Sequence, residues 1–151
     1  MADYLTNSIQ QGDVYLFDGP DGGDIELSSG YITMTQFIES AVYLCWFGGN
    51  WDDDGSQATE KKQWWGNDGE PQENQYRGKL QSLLHGHPLT SALLPKIEKA
   101  AEEDIRNGLS KDILDSVSVS ASASSSKRVD LEAHIFTKTG IPYTINLGVD
   151  L

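Results

Sequence analysis

The chain reads as an α+β protein: short β elements at the N-terminus, two to three helices in the middle and a C-terminal antiparallel sheet of three strands. Three observations predict this. First, apolar residues fall on every second position in three successive runs of the last third: Val117, Val119, Ala121 and Ala123; Val129, Leu131, Ala133 and Ile135; then Ile141, Tyr143, Ile145, Leu147, Val149 and Leu151. Period-two alternation marks a strand with one buried face, because successive side chains point to opposite sides of the pleat. Second, stretches upstream carry apolar residues at the three- and four-residue spacing of a helix face. Third, the connections between the alternating runs, residues 124–128 and Thr139-Gly140, are short enough to favour antiparallel neighbours.

Taken in order, residues 1–34 predict short strands separated by turns. Val14-Tyr15-Leu16-Phe17 runs into the turn signal Gly19-Pro20-Asp21-Gly22-Gly23, and Ile25 with Leu27, then Tyr31 with Ile32, flank a Ser28-Ser29-Gly30 turn. A helix follows, with Thr35 able to cap it, Phe37, Ile38, Ala41, Leu44 and Cys45 as its apolar face, and Gly48-Gly49 as its stop. Residues 48–76 form a Gly-, Asp- and Asn-rich loop that nevertheless holds Trp51, Trp64 and Trp65. Tryptophans in a polar loop must bury on the body or on a partner. Residues 75–85 predict a short helix on Leu80, Leu83 and Leu84, broken by Gly86 and Pro88. Thr90 or Ser91 opens the best helix: Leu93, Leu94, Ile97, Ala100, Ala101 and Ile105 form its buried stripe, Glu98, Glu102 and Glu103 lie outside, and Gly108 ends it. The Ser-rich stretch 116–126 is the polar face of a strand plus a turn, and the sheet occupies 116–151. No internal repeat is present, and residues 1–151 read as a single domain.

Composition narrows the function. A hydrophobic content of 38% with four tryptophans and six tyrosines is that of a folded chain. Acids outnumber bases 23 to 11, a net charge of -12, so no nucleic-acid partner is expected, since phosphate binding needs a basic surface. The same charge argues against an anionic membrane, and no apolar run is long enough to span a bilayer. An acidic chain suits a basic partner. Cys45, the single cysteine, sits among Tyr43, Leu44, Trp46 and Phe47 and reads as a small buried hydrophobe. With no secretory apolar segment at the N-terminus, the expected location is a cytoplasm or a particle assembled there.

The chemistry-bearing patterns read as structural. Asn50-Trp51-Asp52-Asp53-Asp54-Gly55 approaches a calcium loop, with Asp52 and Asp54 at ligand positions and Gly55 at the sharp turn. The twelfth position, which needs a bidentate glutamate, is Lys61, and Glu60 falls one residue short; the stretch reads as an acidic turn. His85 and His87 flank Gly86 without further ligands nearby and read as turn histidines. No metal and no cofactor is expected. Adjacent acids such as Glu102 and Glu103 do not make the two-sided carboxylate pair of a glycosidase, and there is no P-loop or nucleophile elbow. Trp64-Trp65-Gly66-Asn67 is either a plug that pins the long loop or a docking patch.

The order of these features resembles a known family. A helix ends in Leu44-Cys45-Trp46-Phe47-Gly48-Gly49-Asn50, the acidic turn Asp52-Asp53-Asp54-Gly55 follows, and then come Trp64-Trp65-Gly66-Asn67, Arg77-Gly78-Lys79-Leu80, the helix around Ile97 to Ile105 and the alternating strands. This succession is similar to the small baseplate proteins of Mu-like contractile-tailed phages, the gene-product-forty-six family, related to the lysozyme-like wedge and sheath-initiator proteins of contractile injection systems. The likeness covers residues 37–151, and its most specific element is the Trp-Trp-Gly stretch between the helical regions. Related wedge proteins carry a Glu-Pro-Arg signature after the long helix; here the matching stretch is Asn107-Gly108-Leu109-Ser110-Lys111-Asp112, so that signature is not carried over. The resemblance implies a structural virion subunit rather than an enzyme, placed in the tail baseplate and assembled in the host cytoplasm. Its partners would be other wedge proteins around the tail tube, with the tail sheath and tube proteins beyond, and it would start sheath assembly by presenting a sheet for another strand to extend. Trp64 and Trp65, together with Ile141, Tyr143, Ile145, Leu147 and Val149, are the expected partner-binding residues. The alternative is a particle-associated glycan- or peptidoglycan-acting hydrolase, which requires a carboxylate of raised pKa in a cleft.

Overall fold

A computed structural model of the chain describes residues 13–14, 16–19, 22–25, 27–28, 31–32, 34–35, 38–49 and 64–151, the strand residues before Ile38 by their backbone alone. The fold is α+β, and its backbone divides into two compact units, Met1–Ala41 and Val42–Leu151. The acidic turn at Asp52, Asp53 and Asp54, with Asn50, Trp51, Gly55 and Lys61, lies outside the described residues, as does Phe37.

Among its described residues the first unit holds six short strands: β1 (Asp13–Val14), β2 (Leu16–Gly19), β3 (Gly22–Ile25), β4 (Leu27–Ser28), β5 (Tyr31–Ile32) and β6 (Met34–Thr35). They form three antiparallel two-stranded ladders, β2 with β3, β4 with β5, and β1 with β6. The two turn signals of the sequence fall where Gly19 faces Gly22 and where Ser28 faces Tyr31. Thr35 does not cap a helix. Its backbone pairs with Asp13 in the β1–β6 ladder, and an extended residue held there leaves the helix to start four positions later.

Helix α1 (Glu39–Phe47) is apolar on almost every side, which is why spacing alone misassigned its face. Ile38, just before the helix, is buried, as are Ser40, Val42, Cys45 and Trp46 within it, whereas Ala41 and Leu44 are only half-buried. Trp46 is fully enclosed, and its indole N–H donates to the Ala101 carbonyl at 3.1 Å.

Helix α2 (Leu80–Gly86) is shorter than the expected 75–85. A 3-10 turn over Gln72–Asn74 and a backbone bond from Gly78 N–H to Gly49 O at 2.8 Å hold the chain off the helix until Lys79. Helix α3 (Leu94–Gly108) begins after a turn in which Leu93 N–H bonds Thr90 O at 2.9 Å, so neither Thr90 nor Ser91 opens it. Pro95 sits in its first turn, where a missing N–H costs nothing. The stripe Ile97, Ala100, Ala101 and Ile105 is buried, and α3 packs between α2 and the sheet.

The sheet is β7 (Leu114–Ser125), β8 (Arg128–Thr137) and β9 (Pro142–Asp150), antiparallel in the order β7-β8-β9. Val117 faces Ile135, Val119 faces Ala133 and Ala121 faces Leu131; across the other ladder Ile135 faces Tyr143, Ala133 faces Ile145, Leu131 faces Leu147 and Val129 faces Val149. All these apolar residues therefore share one face. It is buried at Val117, Val119, Val129, Leu131, Ala133 and Ile135. Ile141 is not a strand residue. Its carbonyl accepts from Thr137 N–H and its N–H donates to Thr137 Oγ1, both at 3.1 Å, which ties it into the β8–β9 turn next to Gly140 at φ 81°.

Candidate docking surface

The two outer strands of the sheet are treated differently, and the difference starts with helix α3. Glu98 Oε1 accepts from Ala121 N–H at 3.0 Å, Glu102 Oε1 accepts from Val119 N–H at 3.1 Å, and Arg106 Nη2 donates to the Val117 carbonyl at 3.0 Å. Helix positions four apart rise about 6.0 Å and strand positions two apart about 6.6 Å, so one set can pair with the other rung by rung. The helix runs antiparallel to β7 and supplies the hydrogen bonds a further strand would make. Glu98 and Glu102 were expected in solvent; instead they are half-buried and close an edge that would otherwise template pairing.

These bonds also set the direction of every backbone group in the sheet. Residues 117, 119 and 121 point their N–H and C=O groups away from β8, so their even-numbered neighbours face it. Carrying the alternation across the register, the odd residues of β9 bond β8, and Leu151 N–H continues the pattern by bonding Lys127 O at 2.8 Å. The even residues Thr144, Asn146, Gly148 and Asp150 therefore turn their N–H groups outward. Among the described residues no strand pairs with that side of β9. The ladder between β8 and β9 is unbroken, whereas the ladder between β7 and β8 shifts register twice. Proline stands only at the first position of β9 and lysine nowhere in it. The usual guards of an edge strand are missing from it.

Cover over the apolar face thins in the same direction. Tyr143, Ile145, Leu147 and Val149 are half-buried where their β8 partners are buried. At the turn end Ile141 is 50% exposed, and Phe136, which points to the other face of the sheet, is 49% exposed. The opposite face is polar: Ser120, Ser122, Asp130, Glu132, Asn146 and Gly148 line an open depression of about 370 Å³. Arg128 crosses this face to bond Asp130 and Asp150, each at 3.2 Å, and the two carboxylates raise its pKa further. Its guanidinium lies over Gly148, where an added Cβ would push it aside. His134 stands between Glu132 Oε1 at 2.9 Å and Thr144 Oγ1 at 3.2 Å, the order of a nucleophilic triad. The imidazole and the carboxylate are nevertheless about half exposed on a flat face, without the enclosed pocket that such chemistry uses.

Of the loop tryptophans, Trp64 and Trp65 differ in burial, and Trp51 lies outside the described residues. Trp64 folds over Gly66, stacks edge-on against Tyr76 at 5.7 Å between ring centres, and is half-buried. Trp65, in a 3-10 turn over Trp65–Asn67, is 79% exposed. The residue that holds this segment is Asn67, which sequence reasoning passed over. It is buried; its amide donates to Gly48 O at 3.1 Å and Tyr76 O at 2.9 Å, and its Oδ1 accepts from Tyr76 N–H at 2.9 Å.

A second missed residue is Asp104. It lies on the buried stripe of α3, 1% exposed, and its carboxylate accepts Lys79 N–H and Leu80 N–H at 2.9 Å. Helix α2 has Lys79 at its own cap position and no side-chain cap, so α3 supplies one from outside. Burial pushes the Asp104 carboxyl up to about 7, against the downward pull of those N–H groups and of the Lys79 ammonium. It is sealed under a helix end, so it is no acid of an open cleft. Burial, with Asp104 adding to it, likewise pushes the Cys45 thiol up to about 12, which leaves no thiolate for chemistry near neutral pH. Among the described residues there is no group of three or more His, Cys, Asp or Glu side chains placed to hold a metal ion. Comparison with protein-family models, with curated proteins and with solved structures gave no match to the chain.

Proposed function

We propose that the chain is a non-enzymatic structural subunit of a contractile phage tail baseplate wedge, which docks a larger wedge protein around the tail tube and starts sheath assembly by lending the β9 edge to another strand. The observation that carries this reading is the asymmetry of the sheet. One outer strand is closed by three dedicated side chains of α3, while β9 keeps four outward N–H groups and a half-covered apolar row. Backbone bonds along such an edge supply affinity, and alternate side chains supply register. The order of motifs from Leu44 to Leu151 supplies the baseplate setting. Trp65 is the second contact in this reading, because exposed aromatics dominate interface energetics. The alternative, a hydrolase, gains no support from Asp104, whose raised pKa belongs to a buried helix cap.

The test is particle assembly. A chain lacking residues 141–151 and a full-length Asn146→Pro variant are expected to be missing from purified tails, while Asp52→Asn, Asp53→Asn and Asp54→Asn together leave incorporation unchanged. Incorporation of Asn146→Pro at the parental level would overturn the edge as the docking element.

A further inference from the structure

Resting on the docking reading above, we infer that the occupant of the β9 edge is an extended segment of a different protein in which apolar and basic side chains alternate. Two halves of the edge specify it. On the inner face, Tyr143, Ile145, Leu147 and Val149 continue the row of Val129, Leu131, Ala133 and Ile135, so every second residue of an added strand lands beside apolar surface that is only half covered. Only apolar side chains there extend the core.

On the outer face the intervening residues meet an acidic surface. Asp130 and Glu132 on β8 and Asp150 on β9 stand against Arg128, three acids to one fixed base, in a chain of net charge -12. Arg128 shows what this face accepts: from the neighbouring strand it passes over Gly148 and bonds a carboxylate on each side. Glu132, whose Oε1 also bonds His134 Nε2 at 2.9 Å, lies one register step further along, beside Asn146 and the open depression, within the span of a long basic side chain coming from the side of β9 that no described strand pairs. A second copy of the chain is disfavoured as occupant. It would bring the same acid row and the same -12 against themselves, and like charges on adjacent strands repel.

The test uses the full-length chain and three blocked nine-residue peptides, matched to the nine residues of β9, in which valine alternates with lysine, serine or glutamate. Binding is read from the amide resonances of residues 143–150 at about 0.15 M salt, where non-specific attraction between exposed charges is screened. The lysine peptide is expected to bind about tenfold more tightly than the serine peptide, the glutamate peptide least, as a few surface ion pairs would give. Asn146→Pro and Thr144→Pro each remove an outward N–H that bonds nothing within the sheet, and both should lose the lysine peptide while keeping the amide spectrum of α3 and β7. Equal affinity for the serine and lysine peptides would overturn the basic occupant and leave the edge reading standing. No shift of the β9 amides with any peptide would overturn both. Undiminished binding to both proline variants would reduce the effect to bulk charge, and a dimer of the chain alone, abolished by Asn146→Pro, would make the occupant a second copy.

Discussion

Replacing Asp104 tests whether a buried acid can cap a neighbouring helix at the expense of its own ionisation. The carboxyl is 1% exposed, so solvent does little to screen it, and its pKa rises from 3.8 to about 7 chiefly through burial. A folded-state pKa above the unfolded one means that the folded chain holds a proton the unfolded chain has already released. The stability contributed by that proton is fully present below 3.8 and is lost as pH climbs to about 7. At about 1.4 kcal/mol per pH unit, the ceiling on this loss is on the order of 4 kcal/mol. Asp104→Asn removes the titration while keeping one acceptor for Lys79 and Leu80. Urea unfolding of parent and variant at pH 4.0, 5.5 and 7.5 (about these values, chosen to bracket the window) should show the parent losing ground to the variant steadily as pH rises, since the other acids cancel in the comparison. Lys79 and Glu103, the charged neighbours, and the Cys45 thiol are common to both chains. A difference that is flat with pH, or that favours the parent more at the highest pH, would refute the reasoning. It would mean that the N–H groups of Lys79 and Leu80 outweigh burial and hold the carboxyl ionised.

The remaining predictions concern the edges and the tryptophans. Glu102→Ala should cost about 1–3 kcal/mol, because Val119 N–H loses its acceptor in a partly buried site, and Glu98→Ala should cost a similar amount at Ala121; both are read from denaturant midpoints. The double variant also uncovers β7 and should self-associate in sedimentation, and a strictly monomeric double variant would show that the helix is not what guards this edge. Trp64→Ala should lower stability by about 2 kcal/mol, below the range for a fully buried tryptophan because the ring is half-buried, while Trp65→Ala should stay within about 0.5 kcal/mol and weaken particle incorporation instead. Equal losses of stability for the two would place both rings in the body.

The strands were legible because their signal is arithmetic. In β8 each of Val129, Leu131, Ala133 and Ile135 is buried and each residue between them is polar or exposed, so period two survives without interpretation. Ala123 shows where the same arithmetic stops: it continues the alternation of β7 but is exposed, because Glu98 at Ala121 is the last rung from α3. Helix α1 was legible as a helix and not as a face, since almost any stripe drawn on Val42, Tyr43, Leu44, Cys45, Trp46 and Phe47 is apolar. Asp104 was missed because an acid was assumed to mark the solvent side. Two signs pointed to it: it falls between Ala101 and Ile105 on the stripe, and α2 opens at Lys79-Leu80 with no capping residue of its own. Glu98 and Glu102 read as solvent-facing in the sequence for the same reason, although their spacing of four matches the strand spacing of two. Asn67 carried no sequence signal at all, for its three bonds go to backbone at Gly48 and Tyr76 whose proximity only the folded loop creates.

The rungs between α3 and β7 act as a vernier, two scales of slightly different pitch laid side by side. Each step along the helix falls about 0.6 Å short of the matching step along the strand, and strand twist adds to the drift. Three rungs absorb this, the more easily because the far one is made by arginine, whose longer side chain reaches the Val117 carbonyl where a glutamate serves at Val119 and Ala121. At five rungs the accumulated mismatch would exceed about 2 Å, more than a hydrogen bond tolerates. A straight helix can thus shield only a short length of strand. The stretch from Ser122 to Ser125, exposed throughout, begins where α3 itself runs out, since four residues before Glu98 stands Leu94, the first of the helix, with no polar side chain to offer.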